Sequence, residues 1–306
     1  MRAETARATS IGFAAIPIWS LLPALTVVAG AIPPLELVAL TFSAGSLVGL
    51  LFLAWSPAAR KDLRRAGMGP VLLGITGLFG YHFAYFLALQ NAPTAEASLV
   101  NYLWPVLIVV LSAALPAHAG AKRLTALHLA GAGIAFGGAV LAISGGGVPK
   151  LEGSAFGYGM ALAAALIWST YSVATRLFRS VPSAAVALYC LNTAFLAAIA
   201  HAALESFVWP APGAQTLAIL ALGIGPLGFA FYVWDYGCKH GDLRMLGVSA
   251  YFAPVLSTAI LTLSGLSPAK PALWLAALLI TGGALLTSVN FWRTARPLSV
   301  RRTPNA

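Results

Sequence analysis

The chain has 306 residues, of which 59% are hydrophobic and 8% are charged, and its formal net charge is +10. Ordinary soluble domains carry roughly 25% charged residues, so this composition excludes a soluble globular protein. A positive net charge can indicate nucleic-acid binding. Here the basic residues lie between apolar stretches rather than on one folded surface, so we exclude that function too.

Apolar stretches of about 20 residues, each long enough to cross a hydrocarbon core of about 30 Å, recur along the chain. They predict an all-α polytopic membrane protein. In chain order, the ten predicted spans are residues 11–30, 35–55, 70–89, 95–115, 126–145, 156–175, 183–203, 215–234, 246–266 and 272–292, numbered 1 to 10 below. The Gly-rich segment 145–149 is the predicted linker, and it divides the chain into halves 1–148 and 149–306.

The distribution of Lys and Arg predicts the orientation. With the N-terminus in the cytoplasm, 16 of the 18 Lys and Arg residues lie inside, and only Lys150 and Lys270 lie outside. A missed span would scramble this alternation. We therefore expect both termini to be cytoplasmic.

The two halves are repeats of each other. Ile18-Trp19-Ser20 in span 1 recurs as Ile167-Trp168-Ser169 in span 6, at an offset of 149 residues. The Tyr, Pro, Val and Leu of the stretch 101–107 in span 4 recur in the stretch 250–256 of span 9 at the same offset. Because each half has five spans, the second half enters the membrane from the opposite side. The expected architecture is two inverted five-helix repeats (5+5) around a central cavity, as in alternating-access carriers.

Matched prolines mark the two repeated stretches. A proline inside a helix lacks a backbone donor, so Pro105 frees the carbonyl of Asn101 and Pro254 frees that of Ala250. Matched helix breaks in two halves of a chain indicate a transporter's central site. The predicted hinge residues are Pro17, Pro23, Pro105, Pro226 and Pro254.

These features resemble a known family. The 5+5 repeat, the Ile-Trp-Ser of spans 1 and 6 and the Pro-Val-Leu of spans 4 and 9 are similar to the drug/metabolite transporter superfamily, EamA type. Within it, the aromatic stretch 81–86 followed by 101–105 is most similar to bacterial aromatic amino-acid exporters. The resemblance covers about residues 10–293. It implies a bacterial inner-membrane exporter with a cavity lined mainly by spans 1, 3, 4, 6, 8 and 9.

Span 4 carries the strongest candidate site. Ser98, Asn101, Tyr102 and Pro105 share one helix face. The freed carbonyl of Asn101 is a candidate acceptor for a substrate ammonium, while the Asn101 amide and the Tyr hydroxyl can bind a carboxylate. The alternative is a kink that only packs against neighbouring helices.

Aromatic residues of spans 1, 3 and 6 complete the candidate set. Trp19 and Trp168 occupy equivalent places, and both are interpreted as cavity wall, whereas Trp104 is either wall or packing. His82, an ionisable residue well inside a span, is either functional or neutral and hydrogen-bonded between helices. The predicted substrate-binding residues are Trp19, Tyr81, His82, Tyr85, Ser98, Asn101, Tyr102, Trp104, Trp168, Tyr171 and Tyr251.

We place none of the eight acidic residues in the middle of a span. Ion-driven carriers often have a carboxylate there, so we predict transport without obligatory ion coupling. Cys190 and Cys238 form no CxxC motif, and the five His residues form no ligand cluster, so we expect no disulfide framework, metal site or cofactor. Arg176 and Arg179 are interpreted as cytoplasmic anchors of span 6.

The predicted function is export of aromatic and other neutral amino acids from the cytoplasm by alternating access. The partners are the small-molecule substrate and the lipid bilayer, and we expect a monomer or weak homodimer. A multidrug, lipophilic-cation or other metabolite exporter on the same scaffold is the main alternative. A channel is disfavoured because matched hinges favour rocking, and an enzyme because no convergent catalytic set is present.

Overall fold

The computed structural model describes residues 2–65, 67–116, 124–144, 154–266 and 272–295, and these ranges contain helices and no strand. The first half comprises Arg2–Phe13, Ala15–Ser20 and Leu22–Ala29 (span 1), Pro34–Trp55 (span 2), a surface helix Pro57–Arg65, Gly69–Ile75, Thr76–Gly80 and Tyr81–Asn91 (span 3), Thr94–Asn101, Trp104–Leu111 and Ser112–Ala114 (span 4), and Ala126–Ser144 (span 5). The second half comprises Ala155–Ala174 and Thr175–Phe178 (span 6), Ser183–Ala185 and Val186–Leu204 (span 7), Ala214–Ile224, Gly225–Phe229 and Ala230–His240 (span 8), Leu243–Ser249 and Phe252–Leu263 (span 9), and Ala272–Ala295 (span 10).

Seven of the described helical segments are long and apolar enough to cross a membrane. Three more segments are apolar but shorter, namely Trp104–Ala114, Ala126–Leu141 and Trp274–Gly283. Two helices extend well beyond the predicted spans: the helical segment of span 1 begins at Arg2 rather than residue 11, and that of span 8 continues to His240 rather than ending at 234. The predicted linker 145–149, with the boundary between the halves, lies outside the described residues.

Several helices begin where the sequence supplies a cap. The Ser154 side chain accepts a hydrogen bond from the Gly157 amide at 3.0 Å and donates one to the Asn91 carbonyl at 2.9 Å, so it starts span 6 and ties it to span 3. The Asp242 carboxylate likewise accepts from the amides of Arg244 and Met245 and starts span 9. Pro34 lies in the first turn of span 2, where its missing donor is not needed.

Spans 3 and 8 each contain one turn of π-helix. The π turns are Thr76–Gly80 and Gly225–Phe229, and they are again separated by 149 residues. A π turn widens the helix, leaves a carbonyl without its usual partner and often lies at a functional site. Nothing in the hydropathy pattern predicts these turns.

Close contacts at glycines follow the same register. Gly74 of span 3 packs on the ring of Tyr189 in span 7, and Gly223 of span 8 packs on the backbone of Thr41 in span 2. A Cβ at either glycine would overlap its neighbour, so both pairs of helices approach closely only because the residue is glycine. In one contact span 3 of the first half supplies the glycine and span 7 of the second half supplies its partner. In the other contact the equivalent span 8 supplies the glycine and the equivalent span 2 supplies its partner.

Spans 4 and 9 are broken as expected, at Tyr102–Leu103 and at Ala250–Tyr251. The expectation that Pro254 leaves the Ala250 carbonyl free is wrong, because that carbonyl accepts a tighter-turn hydrogen bond from the Ala253 amide at 3.0 Å. The Tyr251 hydroxyl donates to the Tyr102 carbonyl at 3.1 Å and so joins one break to the other.

Span 1 is interrupted at Ala14 and at Leu21. Each interruption lies just before one of the predicted hinge residues, Pro17 and Pro23. The missing proline donors explain both positions, because each proline removes the hydrogen bond that would have continued the preceding turn.

Candidate functional site

Four tryptophans from four different spans form a mutual cluster at the centre of the largest hydrophobic core. They are Trp19 in span 1, Trp104 in span 4, Trp168 in span 6 and Trp234 in span 8, here called the tryptophan cluster. All six ring pairs are in contact, with centroids from 5.0 Å for Trp19–Trp234 to 6.4 Å for Trp168–Trp234. Most pairs meet edge to face or tilted, the arrangement that aromatic quadrupoles favour.

Two indole N–H groups hold the cluster in place. Trp19 Nε1 donates to the Pro226 carbonyl at 3.0 Å, which lies inside the π turn of span 8. Trp234 Nε1 donates to Ser172 Oγ at 3.1 Å in span 6. The ring orientations are therefore coupled to the backbone of span 8 and to span 6.

A second set of rings surrounds the cluster. The Tyr81 ring lies 5.5 Å from Trp168, and Phe231 lies 5.5 Å from the same indole. Phe42 stacks on Phe231 at 5.7 Å and meets His82 edge to face at 4.9 Å. These rings extend the apolar wall from span 8 to spans 2 and 3.

Polar groups of spans 3 and 4 form one edge of the site. Tyr85 and Ser98 share a hydrogen bond between their hydroxyls at 2.8 Å, and Asn101 Nδ2 donates to the Tyr81 hydroxyl at 3.1 Å. Asn101 Oδ1 is buried and has no hydrogen-bond partner among the described residues. An orphaned buried acceptor is costly, so this oxygen is the atom best placed to gain from a donor on a bound substrate.

The structure brings most of the predicted site residues together. Tyr171 joins the cluster through Trp168, with ring centroids 5.3 Å apart, and is itself buried. Joined by ring contacts or hydrogen bonds are Trp19, Tyr81, His82, Tyr85, Ser98, Asn101, Trp104, Trp168 and Tyr171.

One predicted site residue, Tyr251, lies apart from the cluster. It is fully buried against Phe136 of span 5, with ring centroids 6.2 Å apart. Tyr102 packs partly in the same apolar group, but its side chain also interacts electrostatically with Tyr81 and Tyr85 of the polar edge. The Tyr251 hydroxyl holds the break in span 4 through its hydrogen bond to the Tyr102 carbonyl.

The His82 ring is partnered within its own helix. Its Nδ1 lies 2.7 Å from the Leu78 carbonyl, and its ring contacts Phe42, Tyr81 and Phe231. The hydrogen bond between helices that one interpretation expected is replaced by this bond to the preceding turn. Nε2 remains the atom that can face a ligand.

Three ring residues of the site are absent from the predicted substrate-binding residues: Phe42 and Phe231, which the sequence did not single out, and Trp234, which with Pro226 and Phe229 is only a weaker candidate in span 8. The repeat register contains the signal for two of them. At an offset of 149 residues, Phe231 is equivalent to His82 and Trp234 is equivalent to Tyr85. Applying the register to single positions in span 8 would have identified both.

Asp235, which follows the predicted end of span 8, lies inside that helix, near its end at His240 rather than in its middle. Its side chain is fully buried in span 8, next to Trp234, and lies 2.7 Å from Lys239 Nζ one turn later. Lys239 Nζ also donates to the Val181 carbonyl at 3.0 Å. Span 8 continues past the polar run because this lysine neutralises the carboxylate inside the protein.

A second buried acidic group lies at the opposite end of the fold. Glu36 is buried at the start of span 2, and its Oε2 accepts from the Val208 amide at 3.0 Å. Glu205 accepts from the amides of Leu35 and Glu36, and its Oε2 lies 2.8 Å from His201 Nδ1. These bonds cap span 2 and fasten the segment after span 7 to it.

An aromatic, hydrogen-bonded site between apolar helices, several of them broken at prolines or π turns, defines a membrane carrier for a small molecule. The comparisons with known proteins agree. The chain belongs to the EamA-like transporter family, which matches it twice, at residues 7–144 and 155–289. It is therefore a membrane transporter, as predicted, and not an enzyme.

Two curated relatives named as exporters match the chain over nearly their full length. The chain is 48% identical to the aromatic amino acid exporter YddG of Ancylobacter novellus over 285 residues, covering 92% of this chain and 97% of that protein. It is 27% identical to the aromatic amino acid exporter YddG of Escherichia coli, covering 92% and 96%. A solved crystal structure matches with a TM-score of 0.87 and 47% identity, covering 95% of this chain and 99% of the other.

Proposed function

We propose that this protein exports aromatic and other neutral amino acids from the cytoplasm by alternating access. The observation that carries the proposal is the tryptophan cluster, in which spans 1, 4, 6 and 8 each contribute one indole. Flat apolar walls of this kind bind an aromatic side chain by stacking and edge contacts. The names of the relatives at 48% and 27% identity support the same substrate class.

The polar edge supplies groups for the zwitterionic end of such a substrate. Asn101 Oδ1 accepts from the ammonium group, because it is a buried acceptor of this edge without a hydrogen-bond partner among the described residues. The Tyr81 hydroxyl already accepts from Asn101, so its own proton is available to a carboxylate. Tyr85 and Ser98 extend this edge.

The proposed architecture is two inverted five-helix repeats, 1–148 and 149–306, around the central site. Support comes from the two family matches at 7–144 and 155–289, the two π turns in one register, and the exchanged contacts of Gly74 with Tyr189 and Gly223 with Thr41. The charge distribution supports cytoplasmic N- and C-termini, and the bacterial relatives support an inner-membrane location.

The proposal that transport needs no coupled ion is supported by the pairing of a buried carboxylate. Asp235 is inside the fold, but Lys239 at 2.7 Å balances its charge, so a proton or sodium ion is not needed there. Uphill uptake of phenylalanine driven by an imposed pH or sodium gradient would contradict this part of the proposal.

The decisive experiment is transport by the purified protein in proteoliposomes. Vesicles loaded with unlabelled L-phenylalanine should take up labelled phenylalanine, tyrosine and tryptophan by exchange, and labelled aspartate and lysine should not exchange. Efficient exchange of aspartate or lysine would contradict the proposed substrate class, because the site offers their extra charge no partner.

A lipophilic-cation exporter is the second candidate function. The faces of four clustered indoles attract cations through their quadrupoles, which is the specific observation in its favour. Tetraphenylphosphonium separates the two functions. Under the amino-acid proposal it blocks the site weakly and is not transported, whereas transport of this cation without phenylalanine exchange would favour the alternative.

A further inference from the structure

A basic cavity of about 180 Å³ lies at one end of the fold. It is lined by three arginines, one histidine and two hydroxyl residues: Arg176, Arg179, Arg244, His240, Thr5 and Ser112. These residues come from spans 1, 4, 8 and 9 and from the end of span 6 with the residue directly after it. We call it the arginine cavity.

The arginine cavity belongs to the same spans as the tryptophan cluster. Ser112 follows Trp104 by eight residues in span 4, and Arg176 follows Trp168 by eight residues in span 6. At 1.5 Å per residue, each cavity residue lies about 12 Å further along the helix axis. In span 1 the order is reversed, with Thr5 before Trp19, as expected for a helix that runs the other way. The cavity thus lies about 12 Å along the helix axes from the tryptophan cluster, on the side where the helical segment of span 1 begins.

The acidic residue in the cavity wall is already engaged. Asp242 caps span 9, where its Oδ1 accepts from the Arg244 and Met245 amides at 3.0 and 3.2 Å. Arg176 bonds the Gly241 carbonyl through one terminal nitrogen, and its Nε is buried without a partner among the described residues. The same Asp242 Oδ1 lies 3.9 Å from Arg244 Nε, so Asp242 also pairs with one of the arginines. The lining holds three guanidinium groups and this one carboxylate, which leaves the cavity positive overall.

The central site has no comparable positive group. The tryptophans contact other aromatic rings, and the described part of the chain contains no cation stacked on them. The aromatic site can bind a side chain, but it offers an approaching carboxylate only hydroxyl and amide groups. A guanidinium binds a carboxylate with two parallel charge-assisted hydrogen bonds, which are roughly twice as strong as neutral ones.

We infer that the arginine cavity is a staging site that binds the α-carboxylate of the amino-acid substrate on the side where span 1 begins, before the substrate passes to the tryptophan cluster. This inference rests on the proposed function, because it takes the carboxylate to be the substrate's. Arg179 and Arg244 receive the carboxylate from solution, and Arg176 marks the inner wall. The cavity is then the entrance for export rather than an anchor of span 6 to the bilayer surface.

The test is protection of an engineered thiol in the cavity. His240 is exposed and lines the cavity, while both native cysteines are buried, so a His240→Cys variant carries one reactive thiol. The variant in phosphatidylcholine vesicles is labelled with a maleimide while L-phenylalanine, acetate, phenylethylamine or inorganic phosphate is added. Phenylalanine and acetate should slow labelling, and phenylethylamine, which lacks the carboxylate, should not.

Arg179→Gln, made in the His240→Cys variant, tests whether the Arg179 guanidinium binds the carboxylate. The residue is exposed and its replacement leaves the half-buried Arg176 in place, so folding should survive. The concentration of acetate that halves the labelling rate should rise about tenfold, the equivalent of one charge-assisted bond of about 1.4 kcal/mol. Arg65→Gln, on the surface helix Pro57–Arg65, is the matched control and should leave protection unchanged.

Any other result of the labelling and exchange experiments overturns the staging site, the proposed function or the assignment of the ligand. Phenylalanine exchange without protection by any carboxylate refutes the staging site and leaves the proposed function standing. Protection without exchange refutes the proposed function and leaves a carboxylate site. Protection by phosphate at lower concentration than acetate, or labelling slowed by adding phosphatidylglycerol to the vesicles, overturns the substrate assignment in favour of a phosphate or lipid-headgroup site.

Discussion

Replacing Asn101 by Leu should weaken substrate binding without destabilising the empty protein. Asn101 is buried, and its Nδ2 makes one hydrogen bond of 3.1 Å to the Tyr81 hydroxyl, while Oδ1 makes none within the part of the chain that the structure describes. Leu has nearly the same shape and removes both polar atoms. The change therefore separates a residue kept for substrate from one kept for packing.

The substitution should affect the free energy of unfolding and the free energy of substrate binding differently. In the empty protein, the lost Tyr81 bond costs about 1 kcal/mol, and removal of the orphaned oxygen returns about 1–3 kcal/mol, so the stability should stay the same or rise by up to about 2 kcal/mol. In the complex, Oδ1 accepts from an ammonium, and a hydrogen bond to a charged group contributes about 1.5–3 kcal/mol. The dissociation constant for phenylalanine should then rise about tenfold to a hundredfold.

The assay is thermal unfolding of the detergent-solubilised protein at increasing concentrations of phenylalanine. A ligand that binds only the folded state raises the melting temperature by an amount that depends on its dissociation constant. The unliganded melting temperature reports stability in the same experiment. Asn192→Leu is the matched control, because Asn192 donates to its own helix at Leu188 in span 7, away from the cluster.

The reasoning is wrong if Asn101→Leu lowers the unliganded melting temperature by several degrees and leaves the affinity unchanged. That result would make Asn101 a packing residue of the kinked helix. A similar loss of affinity in Asn192→Leu would show that the assay reports a general effect of the substitution.

Three further changes test the surrounding structure. Gly77→Ala places a methyl group in the ring of Tyr171 and should destabilise the protein by about 1–3 kcal/mol, whereas Gly133→Ala, with open space around it, should be neutral or stabilising in thermal unfolding. Lys239→Met leaves the Asp235 charge buried without its partner and should lower the free energy of unfolding by about 3–5 kcal/mol. Adding Asp235→Asn should restore most of that stability, and a double variant no more stable than the single one would contradict the pairing. Pro105→Ala or Pro254→Ala restores a helical donor and should slow phenylalanine exchange more than it weakens binding, so equal losses in rate and affinity would argue against a hinge.

Hydropathy and register predicted the features that depend on local sequence. The apolar stretches, the breaks near Pro105 and Pro254 and the equivalence of Trp19 and Trp168 all follow from neighbouring residues or from one constant offset. Family membership confirms the transporter class that these features indicated.

Features that depend on tertiary partners were not predictable in the same way. The predicted span 8 ends at Trp234, just before the charged Asp235. The helix continues because Lys239, one turn later, pairs with Asp235 and so allows that part of the helix to be buried. Tyr251 looked equivalent to Tyr102, yet its ring packs on Phe136 because span 5 occupies that side of span 9. Hydropathy treats each residue alone and so cannot register either pairing.

The most direct test of the central claim is photo-crosslinking with a diazirine analogue of L-phenylalanine. If the tryptophan cluster binds substrate, mass spectrometry should map the adducts to peptides containing Trp19, Trp104, Trp168 or Trp234, and unlabelled phenylalanine should abolish them. Competed adducts that lie only outside spans 1, 3, 4, 6 and 8 would contradict the account and place the substrate site elsewhere.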